Sequence, residues 1–200
     1  MILNRAEKML MNNPIRRAIQ RYYEIPLLLS MAHRLDESTV LEIGCGQGFG
    51  VELILTEFGA SKVRGIDLDR DMVARAERRI QRFAGRARVA VGDVTAIAAD
   101  DQAFDAVFDF GIIHHVPVWQ NAIREVKRVL KPGGLFLFEE VSKQALDRWV
   151  YRTLFDHPKE NRFTREQFVQ ELEAQNLEVG SNLVSFFFGD FFAGVGTRMR

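Results

Sequence analysis

The sequence predicts a doubly wound α/β protein, with a mostly parallel sheet that carries helices on both faces. Three observations lead to this prediction. Short apolar runs alternate with segments of helical periodicity between residues 40 and 140, and a glycine-rich turn follows the first of these runs. Near the end of the chain, two β-rich runs flank the pair Gly189-Asp190. Repeated β-α-β spacing is typical of parallel strands joined by helices, and Gly-Asp between two strands indicates an antiparallel hairpin.

The composition is that of an ordinary globular protein, and it favours one domain, 1–200. Hydrophobic residues make up 47% of the 200 residues and charged residues 27%, so the chain can bury a core. Its 27 basic and 27 acidic residues cancel, which excludes a global basic field for nucleic acid. Cys45 is the single cysteine, so an internal disulfide is excluded and a reducing, cytoplasmic compartment is expected. The N-terminus lacks a secretory pattern, and no apolar run approaches the ~18 residues of a membrane span.

The first element in the chain is a predicted helical region, residues 1–36. Its apolar residues follow the spacing of one helix face, and this face is expected to bury apolar surface against the domain or a ligand. Basic residues outnumber acidic ones here, so contact with an anionic membrane surface stays open through Arg16, Arg17 and Arg21. The apolar face consists of Ile15, Ala18, Ile19, Tyr22 and Tyr23.

Between residues 40 and 140 the pattern predicts strands separated by helices that each carry an apolar stripe. The stripes have the period of a helix, so these helices are expected to pack against the sheet. The strands are Val40–Ile43, Lys62–Ile66, Arg88–Val91, Ala106–Phe110 and Leu135–Glu139. The stripes are Val51, Ile54, Leu55 and Phe58, then Val73, Ala76, Ile80 and Phe83, then Trp119, Ile123, Val126 and Leu130.

After residue 140 the pattern changes to one helix followed by a hairpin. Thr164 can cap a helix that begins at Arg165, with Gln167 as the capping-box partner. The two hairpin strands are expected at Leu183–Phe188 and Phe191–Thr197. The segment 141–200 therefore completes the sheet with antiparallel strands.

A glycine-rich loop follows the first predicted strand, in the stretch Glu42-Ile43-Gly44-Cys45-Gly46-Gln47-Gly48. Glycine between a strand and a helix permits positive φ and lets the backbone approach a ligand closely. The following helix N-terminus offers free N–H groups and suits a carboxylate or a phosphate. The spacing departs from the dinucleotide fingerprint G-x-G-x-x-G, because Phe49 stands at the third glycine.

Acidic residues at the ends of the next two strands strengthen the prediction of a binding site. Asp67 ends the second strand and can accept hydrogen bonds from both hydroxyls of a ribose. Asp93 ends the third strand, where it can accept a hydrogen bond from the amino group of an adenine. A ribose, an adenine and a tail bearing a carboxylate are the three parts of S-adenosylmethionine.

With these motifs the sequence resembles the class I S-adenosylmethionine-dependent methyltransferases of the small-molecule type, from about Val40 to Glu140. The resemblance implies a Rossmann-like sheet of seven strands that ends in an antiparallel hairpin. It implies S-adenosyl-L-methionine as the cofactor and S-adenosyl-L-homocysteine as the product. Because a helical N-terminal region commonly folds across the site in this family, residues 1–36 are expected to form a lid over a core at 40–140.

The resemblance also implies a set of cofactor-binding residues. Glu42 would order the glycine loop and interact with the charged methionine end of the cofactor, Asp67 would hold the ribose, and Asp93 would contact the adenine. Leu68 would pack on the adenine face, with Met72 nearby. The complete expected set is Glu42, Gly44, Cys45, Gly46, Gly48, Asp67, Leu68, Met72, Gly92, Asp93, Val94 and Phe110.

His114 and His115, just past the fourth strand, are the candidate catalytic residues. Methyl transfer from a sulfonium is an in-line displacement, and a base is needed only if the acceptor must lose a proton. Neighbouring residues of an extended chain point to opposite sides, so one of the two histidines is expected to face the site. A purely structural role for the pair stays open. The four histidines and one cysteine show no metal-ligand spacing, so no metal is expected.

The acceptor is expected to be a small, apolar or amphiphilic molecule. The fourth strand exits as Asp109-Phe110-Gly111-Ile112, unlike the Asn-Pro-Pro-Tyr of family members that methylate exocyclic or amide nitrogens. Aromatic residues around the expected lid and final hairpin are candidates for the acceptor pocket. They are Tyr22, Tyr23, Trp119, Trp149 and Phe188.

Two other functions stay open at this point. An RNA or protein methyltransferase would need a basic face, which arginines between residues 75 and 88 could supply, although a solvated helix face explains them equally. The second alternative is a protein that binds the cofactor but has no methyltransferase activity. The sequence gives no indication of the oligomeric state.

Overall fold

The computed structural model of the chain describes residues 13–147 and 160–200. Residues 1–12 of the expected lid, and Trp149 of the expected acceptor pocket, lie outside the described residues. Within the described ranges, no helix is long and apolar enough to span a membrane.

The described part of the chain forms one sheet of eight strands in the order β3-β2-β1-β4-β5-β8-β6, with β7 also paired to β8. The first five strands are parallel, and β8 runs antiparallel to β5, β6 and β7. The predicted doubly wound sheet with an antiparallel end is therefore confirmed. The strands are β1 (Thr39–Ile43), β2 (Lys62–Asp67), β3 (Ala87–Val91), β4 (Phe104–Phe110), β5 (Leu130–Val141), β6 (Leu177–Glu178), β7 (Leu183–Phe186) and β8 (Phe191–Arg198).

The expected number of seven strands misses β6, which is only two residues long. A pair of residues is too short to show the alternation that predicts a strand. The position of β6 depends instead on its pairing with the end of β8, where Leu177 lies opposite Arg198.

Three of the helices in the described part of the chain begin at a side-chain cap. Asn13 accepts a hydrogen bond from the N–H of Arg16, Asp69 caps the fourth helix, and Thr164 forms the predicted capping box with Gln167. A π-helical turn at Gln20–Glu24 joins the first two helices into one rod. The helices are α1 (Pro14–Ile19), α2 (Ile25–Met31), α3 (Phe49–Thr56), α4 (Arg70–Ile80), α5 (Trp119–Val129), α6 (Lys143–Leu146) and α7 (Arg165–Ala174).

Each face of the sheet carries its own apolar core, as a doubly wound sheet requires. Along β5, Phe136 and Phe138 pack with α5 and α7 on one face, whereas Leu135 and Leu137 pack with α3 on the other. This alternation follows from the two-residue period of a strand. The three predicted apolar stripes lie on α3, α4 and α5, and each ends just past its helix, at Phe58, Phe83 and Leu130. All of these residues are buried except Phe83, which is half-buried.

The hairpin before β8 differs from the predicted tight Gly-Asp turn. Phe186 pairs with Phe191, so β7 ends at Phe186 and the connection has four residues, 187–190. Phe187 and Phe188 both have positive φ, 50° and 58°. These values break the extended conformation that the sequence pattern predicts for a strand through Phe188.

The predicted burial of the N-terminal helix face is wrong. Ile15, Ile19, Tyr22 and Tyr23 are exposed, and the opposite side of the rod, which carries Gln20 and Glu24, faces the protein. Two kinds of contact set this rotation. Arg16 pairs with Glu24 and approaches Glu139 of β5, and α2 buries Ile25 and Leu28.

Candidate active site

A cavity of about 410 Å³ opens at the carboxyl ends of β1, β2 and β4. The strand order reverses at β1, because β2 lies on one side of it and β4 on the other. Crevices at such reversals bind ligands in open α/β sheets. The volume falls within the range of small-molecule and cofactor sites.

The glycine loop between β1 and α3 forms one wall of this cavity. Its Gly46 donates a backbone N–H to Oδ2 of Asp67 at 2.8 Å, and the N–H of Cys45 bonds to the carbonyl of Ile66 at 2.9 Å. Gly44 has φ +67°, and a Cβ there would lie 2.6 Å from the side chain of Ile112. The loop is therefore fixed against β2 on one side and against the segment after β4 on the other.

Glu42 lies at the end of β1 with its carboxyl group buried, 2% exposed, beneath the loop. Burial, and the charges of Asp67 and Asp109, raise the pKa of Glu42 well above its ordinary value. The atom Oε2 is buried and has no hydrogen-bond partner among the described residues. A cationic ligand group in the cavity would supply that partner and stabilise the ionised carboxylate.

The close approach of α3 explains how Glu42 is held. A Cβ at Gly50 would lie 2.0 Å from Oε1 of Glu42. Only a glycine lets the first turn of α3 cover this carboxyl group so closely. The start of α3 thereby presents its positive helix end to the same cavity.

Asp67 and Asp93 both line the cavity, and both already accept hydrogen bonds from the backbone. Asp67 accepts from Gly46 through Oδ2 and from the N–H of Asp69 through Oδ1, each at 2.8 Å. Asp93 accepts through Oδ1 from the N–H and the hydroxyl of Thr95. A carboxylate oxygen can accept more than one hydrogen bond, so both groups keep capacity for a ligand.

Apolar side chains line the part of the cavity between these carboxylates. Met72 is buried, whereas Leu68 is 43% exposed and lies beside Asp67 at the rim. Cys45 also lines the cavity, and burial raises the pKa of its thiol. A neutral buried thiol is a poor nucleophile, so this cysteine acts as a small wall residue.

The two histidines occupy different places, although they lie on a 3-10 turn, Ile113–His115, and not on the extended chain that the sequence prediction assumed. His115 lines the cavity, whereas His114 lies behind it with Nδ1 2.6 Å from Oε2 of Glu140. The two imidazole rings are 4.1 Å apart between centroids. Glu140 also accepts from the N–H groups of Ile113 and His114, so this one carboxyl group fixes the turn that carries both rings.

Several buried carboxyl groups lie behind the cavity, and Arg16 is close to two of them, Glu24 and Glu139. Arg16 donates to both oxygens of Glu24 at 2.5 and 2.6 Å, and it lies 3.7 Å from Glu139. Burial and Glu24 raise the pKa of Glu139 well above its ordinary value, and burial and Glu140 do the same to the pKa of Asp109. Burial raises the pKa of Glu140 to about 7.

Several predicted site residues lie elsewhere. Gly48 caps α3 and packs against Ala76 of α4, where a Cβ would come within 3.0 Å. Trp119 is buried against Phe163 in the core under α5. Tyr22 and Phe188 are exposed, and Tyr23 packs on Phe186 instead of the cavity. The expectation that the acceptor pocket is lined by Tyr22, Tyr23, Trp119 and Phe188 is therefore corrected.

The cavity includes residues that sequence reasoning missed. Arg16 and Gln20 reach it from the N-terminal rod, and Asn121 reaches it from the start of α5. The only signal in the sequence was a helix with a polar side, which is common on solvated surfaces. The remaining new lining residues are Gln47, Phe49, Gly50, Ile66, Asp69, Thr95, Gly111, Ile112, Val116, Pro117 and Val118.

Metal ligands were not expected, and the described ranges contain no group of three or more His, Cys, Asp or Glu side chains that could hold an ion. The lining of the cavity includes carboxylates, the glycine loop and one histidine, His115.

Comparison with known proteins points to one family. The family described as "Methyltransferase domain" matches residues 40–134. A probable S-adenosylmethionine-dependent methyltransferase from Mycolicibacterium smegmatis is 32% identical over 162 residues, which are 78% of this chain and 58% of that protein. A fatty-acid O-methyltransferase from the same organism is 34% identical over 139 residues, 68% of this chain and 50% of that protein. The chain thus spans about half the length of the curated relatives it matches.

Solved structures show the same fold. A chain of the solved structure described as "Complex between the Haloferax volcanii Trm112 methyltransferase activator and the putative methyltransferase" superposes with a TM-score of 0.80. The alignment covers 100% of both chains at 15% identity. At that identity the likeness establishes the architecture and leaves the substrate to other arguments.

Proposed function

We propose that this chain, which belongs to the class I S-adenosylmethionine-dependent methyltransferases, transfers the methyl group of its cofactor to a small, apolar or amphiphilic acceptor. One observation carries the proposal. The cavity places the unpartnered Oε2 of the buried Glu42 beside the positive end of α3. A ligand that bears both a cation and a carboxylate at one end satisfies both features, and the methionine end of S-adenosylmethionine is such a group.

Each part of the cofactor has residues that fit it. Glu42 would meet the cationic methionine end, and the free N–H groups at the start of α3 would meet its carboxylate. Asp67 would accept from the ribose hydroxyls and Asp93 from the adenine amino group. Leu68 and Met72 would cover the adenine ring. The cavity volume of about 410 Å³ suits a ligand of this size.

The cofactor supplies a methyl group on a sulfonium, which an acceptor displaces in line. The protein then contributes position and a dry environment. Arg16 and Gln20 of the N-terminal rod would limit the entry of water from that side. We infer that His115, at the cavity wall, contacts the acceptor, and that His114 and Glu140 act as positioning residues behind it.

The acceptor side of the cavity is mostly apolar. On this proposal the acceptor would lie against Ile112, Val116, Pro117 and Val118 of the cavity lining, with Asn121 as a polar contact. The name of the fatty-acid O-methyltransferase, one of the relatives above, supports an amphiphilic acceptor. The proposal includes action within the single domain 1–200 and a cytoplasmic location.

Calorimetric titration and turnover test the proposal. We expect binding of S-adenosylmethionine and S-adenosylhomocysteine, and no binding of NAD. With labelled cofactor, we expect methyl transfer to at least one member of a panel of fatty acids, quinols and phenolic lipids. A preference for NAD would overturn the cofactor assignment. Transfer only to RNA or to a protein would overturn the acceptor class and leave the cofactor assignment intact.

A further inference from the structure

The outer side of the N-terminal rod carries exposed apolar side chains that continue onto the hairpin tip. Tyr22 is 77% exposed and Phe188 is 103% exposed. Tyr23 packs edge-on against Phe186 with 5.8 Å between ring centroids, and Phe186 contacts Phe187 at the same distance. We call this surface the aromatic ridge, and it comprises Ile15, Ile19, Tyr22, Tyr23, Phe187 and Phe188.

The backbone of the hairpin tip is held in an unfavourable conformation. Phe187 and Phe188 are consecutive non-glycine residues with φ of 50° and 58°. Bulky side chains rarely adopt this left-handed region. The arrangement holds both rings outward, since Phe187 is 66% exposed, and it buries little of either. A backbone conformation that disfavours its own side chains is expected at binding surfaces more often than in elements that only stabilise a fold.

Arginines lie beside the ridge, on the next side of the rod. The guanidinium groups of Arg17, Arg21 and Arg79 all lie over the ring of Phe49, at 5.6 to 5.9 Å from its centroid. Glu52 accepts ion pairs from Arg21, Arg79 and Arg82. A groove between α3 and α4 continues this positive surface, and we call it the arginine groove. It is lined by Gln47, Glu52, Arg75, Arg78, Arg79 and Arg82.

We propose that the aromatic ridge and the arginine groove together dock this protein on the surface of an anionic lipid bilayer. Phe188 is fully exposed at the tip of the hairpin, where its ring can insert among lipid headgroups. Arginines at the flank of an apolar surface are placed to meet lipid phosphates. The lining of the arginine groove has four arginines and one carboxylate, Glu52, so this flank carries a positive charge.

The aromatic ridge lies close to the cavity, so docking would bring the cavity close to molecules in the bilayer. Arg16 and Gln20, on the inner side of the same rod, line the cavity. A helix with its side chains is about 10 Å across, so the docked surface and the cavity are separated by one helix diameter. An amphiphilic molecule in the bilayer would thus lie close to the site. Docking itself goes beyond the proposed function, because it requires neither cofactor nor turnover.

Vesicle flotation with the full chain tests the inference. We expect the protein to float with phosphatidylcholine vesicles that contain phosphatidylglycerol, and to remain unbound with phosphatidylcholine alone or at high salt. The ridge variant is Phe187→Asn with Phe188→Asn, because asparagine tolerates the left-handed backbone. It should bind at least about tenfold more weakly. The groove variant is Arg75→Gln with Arg78→Gln. At low salt its affinity for the anionic vesicles should fall by a similar factor.

Matched control variants on other surfaces distinguish docking from non-specific adsorption to vesicles. Met199→Asn removes an exposed apolar residue elsewhere, and Arg124→Gln removes an exposed arginine on α5; both should float as the unchanged protein does. Hydrogen exchange on the unchanged protein tests the docking surface independently, because it does not depend on the folding of any variant. Vesicles should protect residues 14–24 and 183–191 and leave α5 unaffected.

Several results would overturn the inference. Absence of flotation with anionic vesicles at low salt would do so, and so would equal flotation of the ridge variant. Concentration-dependent dimerisation that the ridge variant abolishes, without flotation, would assign the ridge to a second copy of the chain. Salt-sensitive binding of RNA in place of vesicles would assign the groove to nucleic acid.

Discussion

The N–H of Gly46 donates to Oδ2 of Asp67 at 2.8 Å, so the glycine loop after β1 is tied directly to the tip of β2. The two residues come from different β-α units, and each was expected to contact the cofactor. Their bond means that the loop and the ribose acceptor are preorganised by one another. A change at Asp67 should therefore alter both the ligand contacts and the shape of the loop.

Asp67→Ala should weaken binding of S-adenosylhomocysteine about 10- to 150-fold, because a charged acceptor for two hydroxyls is worth roughly 1.5–3 kcal/mol. It should also lower the melting temperature of the unliganded protein by a few degrees, since Gly46 and Asp69 lose their acceptor. Calorimetry and thermal melts measure the two effects. Asp71→Ala, an exposed acid in the first turn of α4, is the control. Unchanged affinity would reduce Asp67 to a turn residue.

Glu42 should make cofactor binding depend on pH. Burial raises its pKa, so without ligand the carboxyl group keeps its proton to a higher pH than an exposed glutamate does. A cationic ligand group favours the ionised form, so affinity should fall as pH falls, and binding should release a proton below the pKa of the free protein. Titration in two buffers with different ionisation enthalpies measures this release. Glu42→Gln should bind more weakly, and its affinity should depend less on pH than that of the unchanged protein. Identical proton release by Glu42→Gln would contradict the assignment.

Strand positions and the glycine loop could be predicted because their signals are local. Short apolar runs between turn residues place most of the strands within a few residues, although β5 begins at Leu130 and not at the predicted Leu135. Asp67 follows directly from its place at a strand end. The rotation of the N-terminal rod could not be predicted, because it depends on Arg16 meeting Glu139, a residue far along the chain. The role of Glu140 could not be predicted either, because its partners Ile113 and His114 come from the turn after β4, far from it in the chain. At the hairpin, the backbone at Phe187 opposes the strand preference of its own sequence.

Glu140 should lower the stability of the protein as pH rises. Its pKa is about 7 in the folded protein because of burial, above the ordinary value of a glutamate, so the folded state holds more protons than the unfolded state between about pH 4.5 and 7. The free energy of unfolding should fall across this window and stay low above it. Asp109 and His114 are the titratable groups that face Glu140. In Glu140→Gln, denaturant unfolding at pH 5 and pH 8 should give a smaller difference than in the unchanged protein. Glu173→Gln, on the exposed side of α7, should leave the difference intact. A steeper fall in Glu140→Gln would show that the raised pKa is wrong.

His115 and His114 should differ in their kinetic effects. His115 lines the cavity, so His115→Ala should lower kcat/KM for the acceptor by about tenfold while cofactor affinity changes less than twofold. His114→Ala removes the contact of Glu140 and should lower the melting temperature as well. His33→Ala, outside the cavity lining, serves as the control. An equal loss of cofactor affinity in His115→Ala would place that ring at the cofactor and not at the acceptor.

The N-terminal rod should behave as two parts, a detachable lid and a fixed anchor. Helix α1 has no buried residues and is held by polar contacts such as Arg16 to Glu24, whereas α2 buries Ile25 and Leu28. Deleting residues 1–23 should therefore leave a cooperative melt and measurable cofactor binding, because Glu24 becomes hydrated when the lid is gone. Turnover should fall, since Arg16 and Gln20 no longer close the cavity.

The matched deletion, residues 1–31, tests the anchor. It removes two side chains that are 1% and 0% exposed, and each large apolar side chain lost from a core costs about 2–5 kcal/mol. The longer deletion should consequently lose most of the cooperative transition in thermal and denaturant melts. If the shorter deletion also abolishes that transition, α1 is part of the folded core and the lid assignment fails. If it melts cooperatively and turns over at the full rate, α1 contributes nothing to closing the site.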